Sequence, residues 1–158
     1  MFRDLVRKKQ QLSEEDCISV LKHEPRGVLS VIGDSGYPYG MPMNHFYDEE
    51  NCKLYFHGGR SGHKIDALKS CDKVSYCVYD KGFRRENEWA LNIKSVIVFG
   101  RITFVEDMDR VIEISRQLSY KFTDDDDYIE KEIEKFAKNT LCLELEIEHM
   151  SGKLVNES

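Results

Sequence analysis

The stretch "LCLELEIE" (141–148) alternates without a break. A period of two puts Leu141, Leu143, Leu145 and Ile147 on one face of an extended chain and the intervening residues on the other. Such a strand belongs in an antiparallel sheet with one dry face, so the chain has to supply partners. "GVLSVI" (27–32) reads as a buried strand, and "KVSYCVY" (73–79) sets Val74, Tyr76 and Val78 against Ser75, Cys77 and Tyr79. "SVIVFGRITFV" (95–105) is a long apolar strand in which Gly100 predicts a bend or bulge. The turn chemistry of "GDSG" (33–36) and "DEEN" (48–51) joins "GVLSVI" to a strand over 37–47, and that strand to "CKLYFH" (52–57). Prolines and a glycine within "YPYGMPMNHFY" (37–47) assign it to a sheet edge or a bulge. Three strands with short turns make a meander. The six together, with peripheral helices, predict a mainly β fold: a small antiparallel barrel, closed or half-closed.

The helices are peripheral and short. "SEED" (13–16) carries a capping-box start with Ser13 as N-cap, and Pro25 ends that helix. A helix of about two turns follows residue 62, with Ile65 and Leu68 on one face. Met108, Val111, Ile112, Ser115, Ser119 and Phe122 fall on one face of a third helix, and a fourth covers 127–137. No repeat or linker divides the chain, and 158 residues suit one domain over 1–158.

Charge and cysteines narrow the function. With 23 basic and 29 acidic residues the net charge is −6, which argues against nucleic acid as a main partner. Seven carboxylates sit in "DDDDYIEKEIE" (124–134), which reads as a solvated loop and helix face. The five cysteines are odd in number and form no CxxC, so reduced thiols are expected, with Cys142 a small structural residue. The opening "MFRDLVRKKQQ" lacks the apolar core of a secretory signal, and no apolar run approaches a membrane span. The expectation is a cytoplasmic protein with no membrane partner.

One segment asks for a chemical explanation. In "FHGGRSGHKIDAL" (56–68) a strand runs into glycines, then Arg60, Ser61, Gly62, His63 and Lys64, then a helix. A helix N-terminus offers unpaired N–H groups and the positive end of its dipole, and glycines admit close approach of a ligand. Ser61 can cap the helix or offer its hydroxyl, while the cations add charge. These features describe an anion site, most simply for a phosphate, and equally a capped helix on a flexible turn. The spacing is neither a phosphate-binding Walker loop nor a dinucleotide-binding glycine turn. His45, His57 and His63 with Cys52 match no zinc pattern, so no metal site is expected. No nucleophile elbow is present.

The order of these segments resembles the pyridoxamine 5′-phosphate oxidase-like split-barrel flavoproteins, and within them the nitroimidazole-resistance (Nim-type) branch. "MFRDLVRKKQQLSEED" (1–16), "GDSGYPYGMPMNHFY" (33–47), "LYFHGGRSGHKIDAL" (54–68), "KVSYCVYD" (73–80), "KSVIVFGRITFVED" (94–107) and "LELEIEHMSGK" (143–153) carry the likeness across nearly the whole chain. The resemblance implies a six-stranded antiparallel split β-barrel of the FMN-binding type, forming a homodimer with FMN at the interface. Residues 57–64 would then hold the FMN phosphate through His57, Ser61, His63 and Lys64, with Gly58 and Gly62 giving room. Met41, Pro42, Met43, Asn44 and His45 would lie along the isoalloxazine ring. Ser95 and Val96, from "KSVIV", would come from the partner subunit.

Two departures from the family pattern stand out. Lys94 occupies a place where an arginine is common, and it keeps the charge but not the bidentate fork. The tail "LVNES" (154–158) is short, which leaves any pocket it borders more open. Trp89 either covers part of the flavin or serves as a core or interface residue. The catalytic residue is unknown. His45 is a weak candidate as a donor near the ring, against packing or a backbone-directed hydrogen bond.

The activity implied is that of an FMN-dependent oxidoreductase, a nitroreductase acting on nitroimidazole-like compounds with a small-molecule substrate and an electron donor. The alternatives are a non-enzymatic flavin- or haem-binding protein, and a dimer that binds another phosphorylated small molecule. Pyridoxamine phosphate oxidation is not expected, because the chain is short and the fuller set of substrate-phosphate residues cannot be placed on it.

Overall fold

In the computed structural model, which describes residues 1–156, Ser13 caps α1 (Glu14–His23) as its sequence requires. Its Oγ accepts from the Asp16 N–H at 3.1 Å and donates to the Asp16 carboxylate at 3.0 Å. The helix stops ahead of Pro25.

The chain then forms β1 (Arg26–Ile32), β2 (Pro38–Asn44), β3 (Phe46–Asp48), β4 (Lys53–Gly58), α2 (His63–Ser70), β5 (Lys73–Tyr79), β6 (Phe83–Arg84), β7 (Leu91–Val105), α3 (Met108–Tyr120), α4 (Asp126–Phe136) and β8 (Leu141–Asn156). All pairings between these strands are antiparallel, in the order β2-β1-β5-β7-β8-β4-β3, with β6 beside β7. The sheet is the expected split barrel, with eight strands in place of six. One added strand comes from the break in 37–47. At His45 the chain leaves β1, its N–H turns to the Pro25 carbonyl at 3.3 Å, and the next three residues pair with β4 instead. Consecutive strands β2 and β3 therefore lie at opposite ends of the strand order, which curls the sheet towards closure. β2 is an edge strand, in keeping with its prolines. The other added strand is the two-residue β6.

β7 and β8 run longer than their apolar stretches predict, because "NIKSVIVF" and "HMSGKLVN" continue the ladder past a bulge at Phe99/Gly100. The last two residues of the tail "LVNES" lie outside the described residues. The barrel interior is filled by Leu29, Val31, Leu54, Phe56, Tyr76, Val78, Val96, Val98, Leu143 and Leu145.

The face predicted for α3 is a correction. The buried residues are Val111, Ile114, Ser115 and Leu118, whereas Met108 and Phe122 are exposed. Ile114 and Leu118 complete the i, i+3, i+4, i+7 stripe against the sheet, and Phe122 lies beyond the helix. The acidic run is solvated as expected, with Asp125 capping α4 through the Tyr128 N–H. All five cysteines are free, and Cys17 and Cys142 are buried. Among the described residues no helix is long and apolar enough to cross a membrane.

The outer face of the sheet keeps apolar groups in solvent. Val28 pairs with Cys77, which pairs with Ile97, and Ser75 pairs with Phe99 in the next row. Val28, Ile97 and Phe99 are exposed. Phe2 stacks on Phe99 and His149, at centroid distances of 5.4 and 4.8 Å.

Candidate functional site

The end of β4, the turn over 59–62 and the start of α2 meet the β1–β2 hairpin. Gly62, and not Ser61, is the N-cap of α2, and no side chain caps the helix. Gly62 has φ +115°, a conformation that side chains resist. The first amides of α2 thus face outward with the positive end of the helix dipole. Ser61 and Gly62 are both exposed there.

Lys64 folds back over the turn. A Cβ placed on Gly58 would sit 2.9 Å from its Nζ, so the ammonium packs closely over the glycine. The one hydrogen-bond partner of that Nζ among the described residues is the Met43 Sδ at 3.5 Å, a weak acceptor. Burial pushes the Lys64 ammonium below the usual lysine range. A partly desolvated cation without an anion leaves a charge that an anion from outside the chain could meet. His63 stacks on Tyr39 with centroids 4.2 Å apart, and its Nε2 lies 3.5 Å from Asp34 Oδ1.

Beside Lys64 a cleft of about 370 Å³ is lined by Arg26, Pro42, Met43, Asn44 and His57. The surroundings of His57 in the cleft, and secondarily the Lys64 charge, hold its imidazole below the usual histidine range. The cleft is cationic on a protein of net charge −6. It therefore suits an anionic group.

The residues picked from sequence divide into three sets. Pro42, Met43, Asn44 and His57 share the cleft, and Gly58 and Lys64 adjoin it. Met41 is half-buried against the core. Ser95 and Val96 lie on β7 away from the cleft, with Val96 buried and Ser95 Oγ 3.5 Å from the Lys153 carbonyl. Lys94 is held by Asp16 at 2.8 Å. Trp89 is 75% exposed, which rules out the core alternative.

His45 is 0% exposed. Its Nε2 donates to the Leu21 carbonyl at 2.6 Å and its Nδ1 lies 2.7 Å from the Tyr76 hydroxyl, so both ring nitrogens are engaged. Burial, followed by the nearby Lys121 charge, lowers its pKa to about 4. His45 is a neutral structural residue here, and the backbone-directed hydrogen bond is the reading that fits.

Arg26, Asp34 and Tyr39 escaped the sequence reading. A hairpin turning around residue 35 sets Arg26 opposite Asn44 and Tyr39 opposite Val31, so the "GDSG" turn carried the signal for Arg26. Among the described residues no three His, Cys, Asp or Glu side chains gather to hold a metal.

Comparison with known proteins places the fold. No curated protein matches the sequence. Among solved structures, the chain is similar to a candidate 5-nitroimidazole antibiotic resistance protein from Bacteroides thetaiotaomicron: TM-score 0.77, 20% identity, 92% of this chain and 87% of that one. A FAD-binding protein from Mesorhizobium loti gives TM-score 0.69 and 24% identity, over 92% of this chain and 97% of that one. A FAD and haem binding protein from Mycobacterium smegmatis gives TM-score 0.71 and 20% identity, over 92% of this chain and 73% of that one. At these identities the likeness is one of fold. The profile of the pyridoxamine 5′-phosphate oxidase family matches residues 13–154, nearly the full length, and the chain belongs to that family.

Proposed function

We propose that the chain is an FMN-binding oxidoreductase of the Nim-type branch, a nitroreductase working as a cytoplasmic homodimer with FMN at the subunit interface. One observation carries the reading: the half-buried Lys64 ammonium beside the uncapped N-terminus of α2, with only a thioether for a partner. A phosphate monoester supplies the missing anion and accepts from both the ammonium and the helix amides. The exposed Ser61 hydroxyl and His63 lie within the same turn. The names of similar proteins, which bind FAD in this fold, support a flavin as the ligand class.

Each part of the chain has a task in this reading. Lys64, His63, Ser61 and the amides after Gly62 hold the phosphate. The edge of β2, Met41 to Asn44, lies along the ring system. His57, kept neutral, can donate or accept one hydrogen bond in the cleft without adding charge. Flavin supplies two-electron and one-electron redox chemistry when bound, and the protein supplies orientation and shielding. The exposed apolar row of Val28, Ile97 and Phe99 supports a second copy as the cover of the sheet face. In that dimer Ser95 and Trp89 would reach the partner's cofactor, whereas Val96, buried in the barrel, would not.

The visible absorption spectrum of the purified protein, repeated on the supernatant after denaturation, tests the proposal. A two-banded flavin spectrum that becomes free FMN supports it. No pigment, with none taken up on adding FMN, overturns it. A Soret band would favour haem, whose iron the exposed His57 imidazole could hold. Turnover with an electron donor and a nitroimidazole would then separate the enzyme from a passive carrier.

A further inference from the structure

A second cavity, of about 330 Å³, lies between α3 and α4, and His57 is a wall of both it and the cleft. The buried side chains of Ile129, Ile133 and Ala137 line it. Three aromatic rings that also line it remain in solvent: Phe122 at 51%, Tyr128 at 56% and Phe136 at 46% exposure. Neither the core nor the solvated acidic face accounts for three exposed rings around one hollow.

The charge there is opposite to that of the cleft. Glu132 lines the cavity and has no ion-pair or hydrogen-bond partner among the described residues. Asp124, Asp125, Asp126 and Asp127 flank the start of α4 and are all exposed. Their summed field repels anions and favours cations near the mouth. Aromatic faces add to that preference, and Lys135 already holds its ammonium 4.7 Å over the Phe136 ring.

We infer that this cavity is the substrate pocket of the proposed oxidoreductase and that it takes a neutral or cationic aromatic molecule bearing no phosphate or carboxylate. The inference rests on the flavin reading of the adjoining cleft. It divides the ligands by charge, with the anionic group going to Lys64 and the α2 amides and the uncharged or cationic ring going behind His57. A phosphorylated substrate is disfavoured by Glu132 in the pocket wall and by the acidic run that precedes α4. The volume suits a single ring with a short substituent.

The test uses three molecules on one ring, 4-nitrobenzyl alcohol, 4-nitrobenzylamine and 4-nitrobenzoate, titrated by calorimetry into the FMN-loaded protein and into the FMN-free protein. The alcohol and the amine are expected to bind at least tenfold more tightly than the benzoate. Ala137→Leu, which fills the cavity, is expected to weaken both at least tenfold while the FMN titration stays unchanged. Glu132→Lys, on a half-buried side chain that leaves the volume open, is expected to bring the amine and the benzoate to equal affinity or reverse them, and it decides the matter if Ala137→Leu does not fold. Benzoate bound as tightly as the amine, or affinities unmoved by both variants, would overturn the pocket. Failure to take up FMN would overturn the flavin reading and with it the substrate role, while the ring series on the FMN-free protein separately decides whether the cavity binds such rings.

Discussion

Two lysine–histidine pairs lie on either side of β2, and they differ in one respect. At the end of β2, Lys121 gives its ammonium to the carbonyls of Glu24 at 2.7 Å and His45 at 2.9 Å, while both nitrogens of His45 find partners inside the protein. On the other side, Lys64 has only a thioether and His57 has no protein partner among the described residues. Partial burial pushes both lysines down, Lys121 to about 8. Desolvation is thus common to the two lysines, and completion of the hydrogen bonding distinguishes the pairs. A complete pair fixes the corner where the chain passes from β2 to β3. An incomplete one leaves a cation that a ligand can finish.

The comparison can be broken at either end. His45→Leu should have the largest effect, a loss of about 3–4 kcal/mol in urea unfolding, because it strands the Leu21 carbonyl in the core and leaves the Tyr76 hydroxyl with the Met43 carbonyl alone. The folded fraction should keep its FMN affinity, and a lost affinity would show that the two pairs are not separable. Lys64→Ala should do the reverse, weakening FMN binding by about 1–3 kcal/mol with stability unchanged or raised. An unaltered FMN titration of that variant would remove Lys64 from the phosphate site.

A pH series sharpens the contrast. His45 has an unfolded value near 6.5 and a folded value of about 4. On acidification through that window the unfolded chain takes up a proton that the folded chain refuses. The stability from the neutral ring is fully present above about pH 6.5 and falls by about 1.4 kcal/mol per pH unit below it, about 2 kcal/mol by pH 5. Comparing this loss with that of His45→Gln isolates the group, and equal losses would show that His45 is not held neutral. The smallest effect should come from Gly62→Ala, about 1 kcal/mol of stability from the positive φ of the turn, read in the same unfolding experiment.

Local features were the legible ones. The alternation through Leu145, the Ser13 cap, the bulge at Gly100 and the cationic turn before α2 all depend on neighbours within a few residues, so they could be read from the chain. The face of α3 was misjudged, since Ile114 and Leu118 were passed over for Met108 and Phe122, and only packing against β4 and β8 decides which stripe turns inward. Arg26 and Tyr39 enter the site by cross-strand register and stacking. The hollow behind His57 is formed by two helices far along the chain, so no short segment announces it.

Tyr76 brings the two regions into contact. Its hydroxyl lies 2.7 Å from His45 Nδ1 and 2.9 Å from the carbonyl of Met43, the residue that also touches Lys64. With the ring neutral and its proton on Nε2, that hydroxyl has a single hydrogen for two acceptors. It can serve only one of them at a time, so the imidazole and the Met43 carbonyl of β2 compete for the same proton. Protonation of His45 would supply the absent hydrogen and fasten both. The charge on His45 is therefore linked, through one shared proton, to the β2 residue against which a bound ring system would settle.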